Sequence, residues 1–180
     1  LNIGFFNDRY RDVIKGKTSF DEISKRGYLT NDISYRDGFK HIFSGSMNNI
    51  AFSPLFIKAD QSINYVECHD NNTLYDKLKL SLKEEKEEEI LKRVKLINAS
   101  LLLSNGIPFI HMGQEIGLSK NNEHNSYNLG DKINSFKWDK LDERIDLYKY
   151  FKDVVNFRRN HQFLKIDDAK LFNESIEFID

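Results

Sequence analysis

The chain is poor in cysteine, proline and tryptophan: 180 residues carry one Cys, two Pro and one Trp. A single thiol, Cys68, excludes an internal disulfide framework and any multi-cysteine metal site. Its ordinary use is as a small buried apolar filler. No charge of one sign prevails, since 27 Lys and Arg face 28 Asp and Glu for a formal net charge of −1. Such balance gives no electrostatic ground for a nucleic acid or an anionic membrane as partner. No apolar run approaches the ~20 residues needed to cross a bilayer, which excludes a spanning helix. A leader is missing as well. The first residue is Leu1, and no charged-then-apolar segment follows it, so the chain reads as a piece of something longer or a processed product. Localisation is therefore open, with a cytoplasmic setting favoured over a secreted one.

What is present is ordinary globular material, 39% apolar and 31% charged, in a length typical of one domain. Fourteen Phe and eight Tyr suit a packed core, or platforms on which sugar rings stack. Lysine outnumbers arginine and asparagine is abundant, as in proteins of AT-rich bacterial genomes.

Residues 3–15 read as a strand end and its following loop. Residues 37–46 read as a short helix, with Asp37 as cap and Gly45 near its end. Alternation over 62–68 predicts a strand. From Ser81 to Asn105 the spacing predicts one long helix, capped by Ser81 and crowded with Glu in its first turns. Ile90, Val94, Ile97 and Leu101 would form its buried face, with Glu88–Lys92 and Glu89–Arg93 pairs on the solvated side. Residues 107–112 predict a short apolar strand, in which Pro108 is tolerable near the start. Residues 117–138 lack periodicity and read as a long polar loop, a length usually tied to function or disorder. A helix follows over 143–160, with Leu147, Phe151, Val154 and Val155 on one face. After His161, short alternating stretches look like β-strands of another domain. Strand, helix, strand, loop, helix is the rhythm of βαβ units, which fits a doubly wound sheet or a (β/α)8 barrel equally.

Three places could carry chemistry. In parallel α/β proteins, sites lie at the carboxyl ends of strands, which is where His69 and Asp70 fall; a turn capped by Asp70 and Asn71 is the plain alternative. His111 and Glu115 stand at helical metal-ligand spacing, but Gly113 and the preceding strand argue for structural hydrogen bonding instead. Asn125, Tyr127, Asn128 and Asp131 in the polar loop suit a hydroxyl-rich ligand or an ordinary surface.

The strings FFNDRYRD, INYVECHDNNTLYDKL, GIPFIHMGQE and NSYN followed by Asp131 and Ile133-Asn134 occur in the order found in type I pullulanases. Over residues 3–163 the chain resembles that debranching branch of the α-amylase superfamily. The resemblance implies a (β/α)8 catalytic barrel and retaining hydrolysis of α-1,6 links in pullulan, glycogen or limit dextrins. Residues 1–162 would supply barrel strands six to eight, and 163–180 would open a C-terminal β-sandwich domain. Retention requires two carboxylates about 5–5.5 Å apart, in opposite protonation states. In the family a third carboxylate steadies the oxocarbenium-like transition state. Asp70 matches that third group, ionised and partly buried, and His69 the histidine that bonds sugar hydroxyls beside it. Asn71, Tyr75, Asn125, Tyr127, Asn128 and Asp131 would contact substrate. No nucleophile or general acid motif is present, so the chain alone should be inactive and, with open strand edges, should self-associate. No cofactor or metal is implied by these residues, and calcium in the longer protein is left open. Two departures stand out: Tyr75 replaces the usual Trp, and Ile116-Gly117-Leu118-Ser119-Lys120 replaces a Phe-x-Arg-Thr-Lys run. A non-catalytic α-glucan-binding relative, or a superfamily member acting on α-1,4 links, is the alternative.

Overall fold

A computed structural model describes residues 3–179. Three short parallel strands, β1 (Phe5–Phe6), β2 (Ser62–Asn64) and β3 (Ile107–Pro108), lie side by side in that order. Phe5 pairs with Ser62 and Ile63 with Ile107, which fixes the register. Helices fill every crossover, as parallel pairing demands.

The first helix, α1 (Asp8–Lys15), stands where a loop was expected. Asn7 accepts from the Tyr10 amide at 3.0 Å and starts the helix one residue after the strand. Tyr10, Val13 and Ile14 then share its buried face. Gly16 ends it at φ +87°, and a Cβ there would meet the Lys25 carbonyl at 2.0 Å. The short helix α2 (Arg36–Phe43) forms as anticipated, except that Asp37 lies in its first turn rather than at the cap.

The long helix is two helices. Thr73 caps α3 (Leu74–Ser81) by accepting from the Asp76 amide at 3.2 Å, and α4 (Glu87–Leu103) follows after a break. Ser81 is thus the last residue of α3, its hydroxyl turned back to the Lys77 carbonyl at 2.9 Å. The stripe of Ile90, Val94, Ile97 and Leu101 is buried as read. Glu88 pairs with Lys92 at 2.9 Å. Arg93, however, reaches Glu85 at 2.5 Å instead of Glu89.

Both later strands are shorter than the alternation suggested, and the 117–138 stretch contains a turn of helix, α5 (Asp131–Asn134). After it come α6 (Trp138–Glu143) and α7 (Ile145–Asn160). On α7 only Leu147 of the four apolar residues is fully buried. Arg158 ties this helix to the end of α4, donating to the carbonyls of Leu102, Ser104 and Gly106 at 2.6–2.8 Å.

Strands were expected after His161; a 3-10 turn (Gln162–Leu164) and α8 (Ala169–Ser175) stand there. Asp168 caps α8 by accepting from the Leu171 amide at 2.9 Å. Ile166 and Phe172 pack on Met47 and Ala59, so burial of one face favours the helix over alternation.

Two cores result. The larger joins α1, α3 and α4 through Tyr10, Ile14, Leu74, Leu78, Val94 and Ile97. Beneath the sheet the interior is polar. Asn7 donates to Ser46 and Ser62 hydroxyls at 2.9 Å, Ser62 donates to Asn64 at 2.7 Å, and Asn64 donates to the Asn105 carbonyl at 2.7 Å. All five residues are buried.

Candidate functional site

The segments leaving the three strands meet at their carboxyl ends. Tyr65, just past β2, is buried, and its hydroxyl donates to Asp8 and accepts from Arg11 Nη1 at 2.6 Å. Burial first, and then the Asp8 bond, push the Tyr65 hydroxyl well above the usual phenol range. The Phe6 ring stands edge-on to Tyr65 and Phe109 at 5.1 and 5.2 Å, so one aromatic from each strand end joins the group.

Glu67 is the buried carboxylate of the site, 4% exposed. It accepts from His111 Nδ1 at 3.0 Å and from the Leu74 amide at the start of α3. One side chain therefore braces the turn after β2 against both the next strand and the next helix. His111 is structural, as anticipated. Glu115 bonds the Gly113 amide at 2.8 Å, so each of the two spaced residues has its own partner.

His69 and Asp70 project from the braced turn into solvent, with their side chains 78% and 67% exposed. Partial burial of Asp70 is thus not observed. His69 Nε2 lies 3.4 Å from Asp70 Oδ1. Asn71 holds the turn in the left-handed region at φ +63°, a conformation Asn tolerates. Cys68 is half-buried rather than a core filler, and burial pushes its thiol up. Donor atoms of Cys68, His69 and Asp70 lie within 4.8 Å of one another, the one such group among the described residues. Three consecutive residues on one exposed turn leave at least one position of a tetrahedral shell unsupplied among the described residues.

Tyr75, expected as a stacking surface, is engaged within the protein. It is 5% exposed, donates to Glu87 at 2.6 Å, and carries the Arg144 guanidinium over its ring at 4.6 Å. Burial and then the Glu87 bond push its hydroxyl up to about 12.

The polar loop is fastened at its root to the His69–Asp70 segment. Asn72 donates to the Asn122 carbonyl at 2.8 Å. Asp76 accepts from the Ser119 hydroxyl at 2.6 Å and the Lys120 and Asn122 amides at 2.8 and 3.2 Å. Farther along, buried Ser126 anchors the loop by exchanging bonds with Asn134 at 2.9 and 2.6 Å. Asn125, Tyr127, Asn128 and Asp131 are exposed around that anchor, Tyr127 at 74%. No hydrogen bond among the described residues joins these four to His69 or Asp70.

Three supporting residues were not singled out from sequence: Glu67, Asp76 and Lys15. A carboxylate two residues before His69, at a buried strand end, was the available signal for the first. Lys15 closes α1 inside the protein and lines a narrow space with Arg11, Glu67 and Asp70. Burial, aided by Lys77 and Arg11, pushes its ammonium down to about 7. Unfolded, that group titrates near about 10.5, so the unfolded chain binds more protons between pH 7 and 10.5. Its burial opposes folding fully below pH 7, and the penalty fades as pH rises to 10.5. Lys15→Met is therefore expected to raise stability at pH 7 by about 1 kcal/mol or more, with a gain that shrinks towards pH 10.5. Denaturant melts across that range check it; a gain independent of pH would refute the buried-amine account.

No protein-family model matches the chain. Pullulanase of Bacillus subtilis is 34% identical over 175 residues, covering 97% of this chain and 24% of that protein. The crystal structure of B. subtilis type I pullulanase complexed with maltose superposes with a TM-score of 0.94 at 33% identity, covering 99% of this chain and 25% of that one. Pullulanase from Anoxybacillus sp. LM18-11 complexed with maltotetraose gives 0.92 at 36% identity, again covering 99% and 25%. The chain spans about a quarter of the length of these relatives. These similarities place the chain among the homologues of amylase-type glycoside hydrolases. Within that class the chain belongs with the type I pullulanases, as a homologue of one continuous segment of them.

Proposed function

We propose that the protein containing this chain hydrolyses α-1,6-glucosidic branch links in pullulan, glycogen or limit dextrins, with retention of configuration. The observation that carries this is the His69–Asp70 turn at the carboxyl end of β2, held by Glu67 against His111 and α3. Maltose and maltotetraose in the related structures support an α-glucan as substrate. Asp70 faces the developing positive charge of the sugar ring, and His69 bonds its hydroxyls. An exposed carboxylate is accessible to such a ring, and the rest of the barrel would supply the walls around it.

Residues 1–162 form, in this proposal, the last three βα units of a (β/α)8 barrel, and 163–180 lead into an all-β domain. Nucleophile and general acid then belong to other barrel strands, so these 180 residues do not turn over substrate by themselves. Phe5 and Phe6 on β1 and Ile107 on β3 are about half exposed, on the two outer strands of the sheet. The isolated chain is expected to self-associate through these strands. Sedimentation showing a stable monomer would count against the partial barrel.

The deciding assay is hydrolysis of pullulan against amylose by the full-length protein. Preference for amylose would replace the debranching assignment by α-1,4 hydrolysis, and binding without hydrolysis would make it a glucan-binding protein. For the loop, Tyr127→Ala is expected to weaken a branched maltooligosaccharide by ~1 kcal/mol, the scale of one lost aromatic contact. Calorimetry in an Asp70→Asn background reads this without turnover; an unchanged dissociation constant would return the loop to plain surface.

A further inference from the structure

A second depression, of about 430 Å³, lies between α3, residues 118–121 and the 132–144 stretch. Its volume is in the range of small-molecule sites. Six cationic side chains line it against two carboxylates, Glu87 and Asp139. Arg144 and Lys79 share Glu87 at 2.9 and 3.9 Å, and Lys140 has Glu143 at 2.5 Å.

Lys120, Lys132 and Lys137 have no ion-pair partner among the described residues. Lys120 is buried and donates to the Ser126 hydroxyl at 3.1 Å. Lys137 donates to the Lys132 carbonyl at 2.8 Å and the Ser135 hydroxyl at 3.0 Å. Neutral acceptors hold an ammonium in place and leave its charge uncancelled, which matters most where burial lowers the local dielectric. Lys132 is exposed. Three lysines without an ion-pair partner among the described residues thus line one concave pocket, whose carboxylates are Asp139 and the already shared Glu87, and leave its lining net positive.

We propose that this pocket binds a phosphate monoester, its dianion held by Lys120, Lys132 and Lys137. Lysine serves such a group as a point charge, and three of them match a dianion with one carboxylate nearby. A sugar phosphate and free phosphate offer the same dianionic group. Lys120 also connects the pocket to the polar loop, because Ser126, its acceptor, sits between Asn125 and Tyr127. The inference is independent of the glucan proposal, since binding alone is read.

The test is calorimetry on the full-length protein with inorganic phosphate, glucose 6-phosphate and glucose. Saturable binding of both phosphates and none of glucose is expected. Tighter binding of the ester assigns a sugar phosphate, and equal binding assigns free phosphate. Lys132→Ala removes an exposed side chain that bonds no other among the described residues, so folding is spared; a loss of about threefold or more is expected. Lys132→Ala with Lys137→Ala should weaken both ligands about tenfold, whereas Lys140→Ala, whose charge Glu143 already cancels, should have the smallest effect. Absence of saturation below about 10 mM, or equal losses from Lys140→Ala and Lys132→Ala, would overturn the proposal by showing only diffuse attraction.

Discussion

Asp70→Asn in the full-length protein is expected to lower kcat at least about tenfold while KM changes little. The substitution keeps size and hydrogen-bonding capacity and removes only the negative charge. A charge that matters chiefly when the sugar ring becomes cationic is lost from the rate and not from ground-state binding. Because the side chain is two-thirds exposed and its charged neighbour is the likewise exposed turn residue His69 at 3.4 Å, the exchange is expected to leave the buried structure untouched. An equal melting temperature with a collapsed rate is thus the expected pair of results. A variant keeping more than about a tenth of the wild-type rate would remove Asp70 from the catalytic set.

Glu67→Ala should act in the opposite manner, through the fold. The carboxylate is buried and bonds both His111 and the first amide of α3. Its removal leaves that amide inside without an acceptor and empties the space of four heavy side-chain atoms. A loss of about 2–4 kcal/mol is expected in denaturant unfolding. Glu67→Gln keeps volume and one acceptor oxygen and should cost roughly half of that. A loss from Glu67→Ala below about 0.5 kcal/mol would mean that the turn is held by something else.

Much of this organisation was legible in the residues. Ile90, Val94, Ile97 and Leu101 recur at helical spacing, and the buried stripe is where that spacing puts it. The motif strings led to the pullulanase relatives. The helix break at residues 82–86 was not legible, because the acidic run continues through it without proline or glycine. Thr73 carried the true start of α3, eight residues upstream of Ser81. Helix α1 hid behind its charges, although Tyr10, Val13 and Ile14 repeat at three- and four-residue intervals. The surroundings of Tyr75 were not legible, because an aromatic in such a motif can face either way and its Glu87 and Arg144 contacts come from distant elements. Around Asp70 the exposed residues had motif value, whereas the brace beneath them is made of long-range contacts that no local window contains.

The buried Asn7, Ser62, Asn64 and Asn105 chain under the sheet has a consequence for how the strands find one another. An oily floor accepts neighbouring alignments at similar energy, since methyl groups interlock in many ways. Amides and hydroxyls do not. Sliding β2 by one residue would carry Asn64 away from the Asn105 carbonyl and Ser62 away from Asn7, stranding several polar atoms at once. With strands of only two or three residues, ladder bonds are too few to choose among alignments. The side-chain amides work as a lock cut for one key, so a shifted register forfeits the polar pairs that the native one completes.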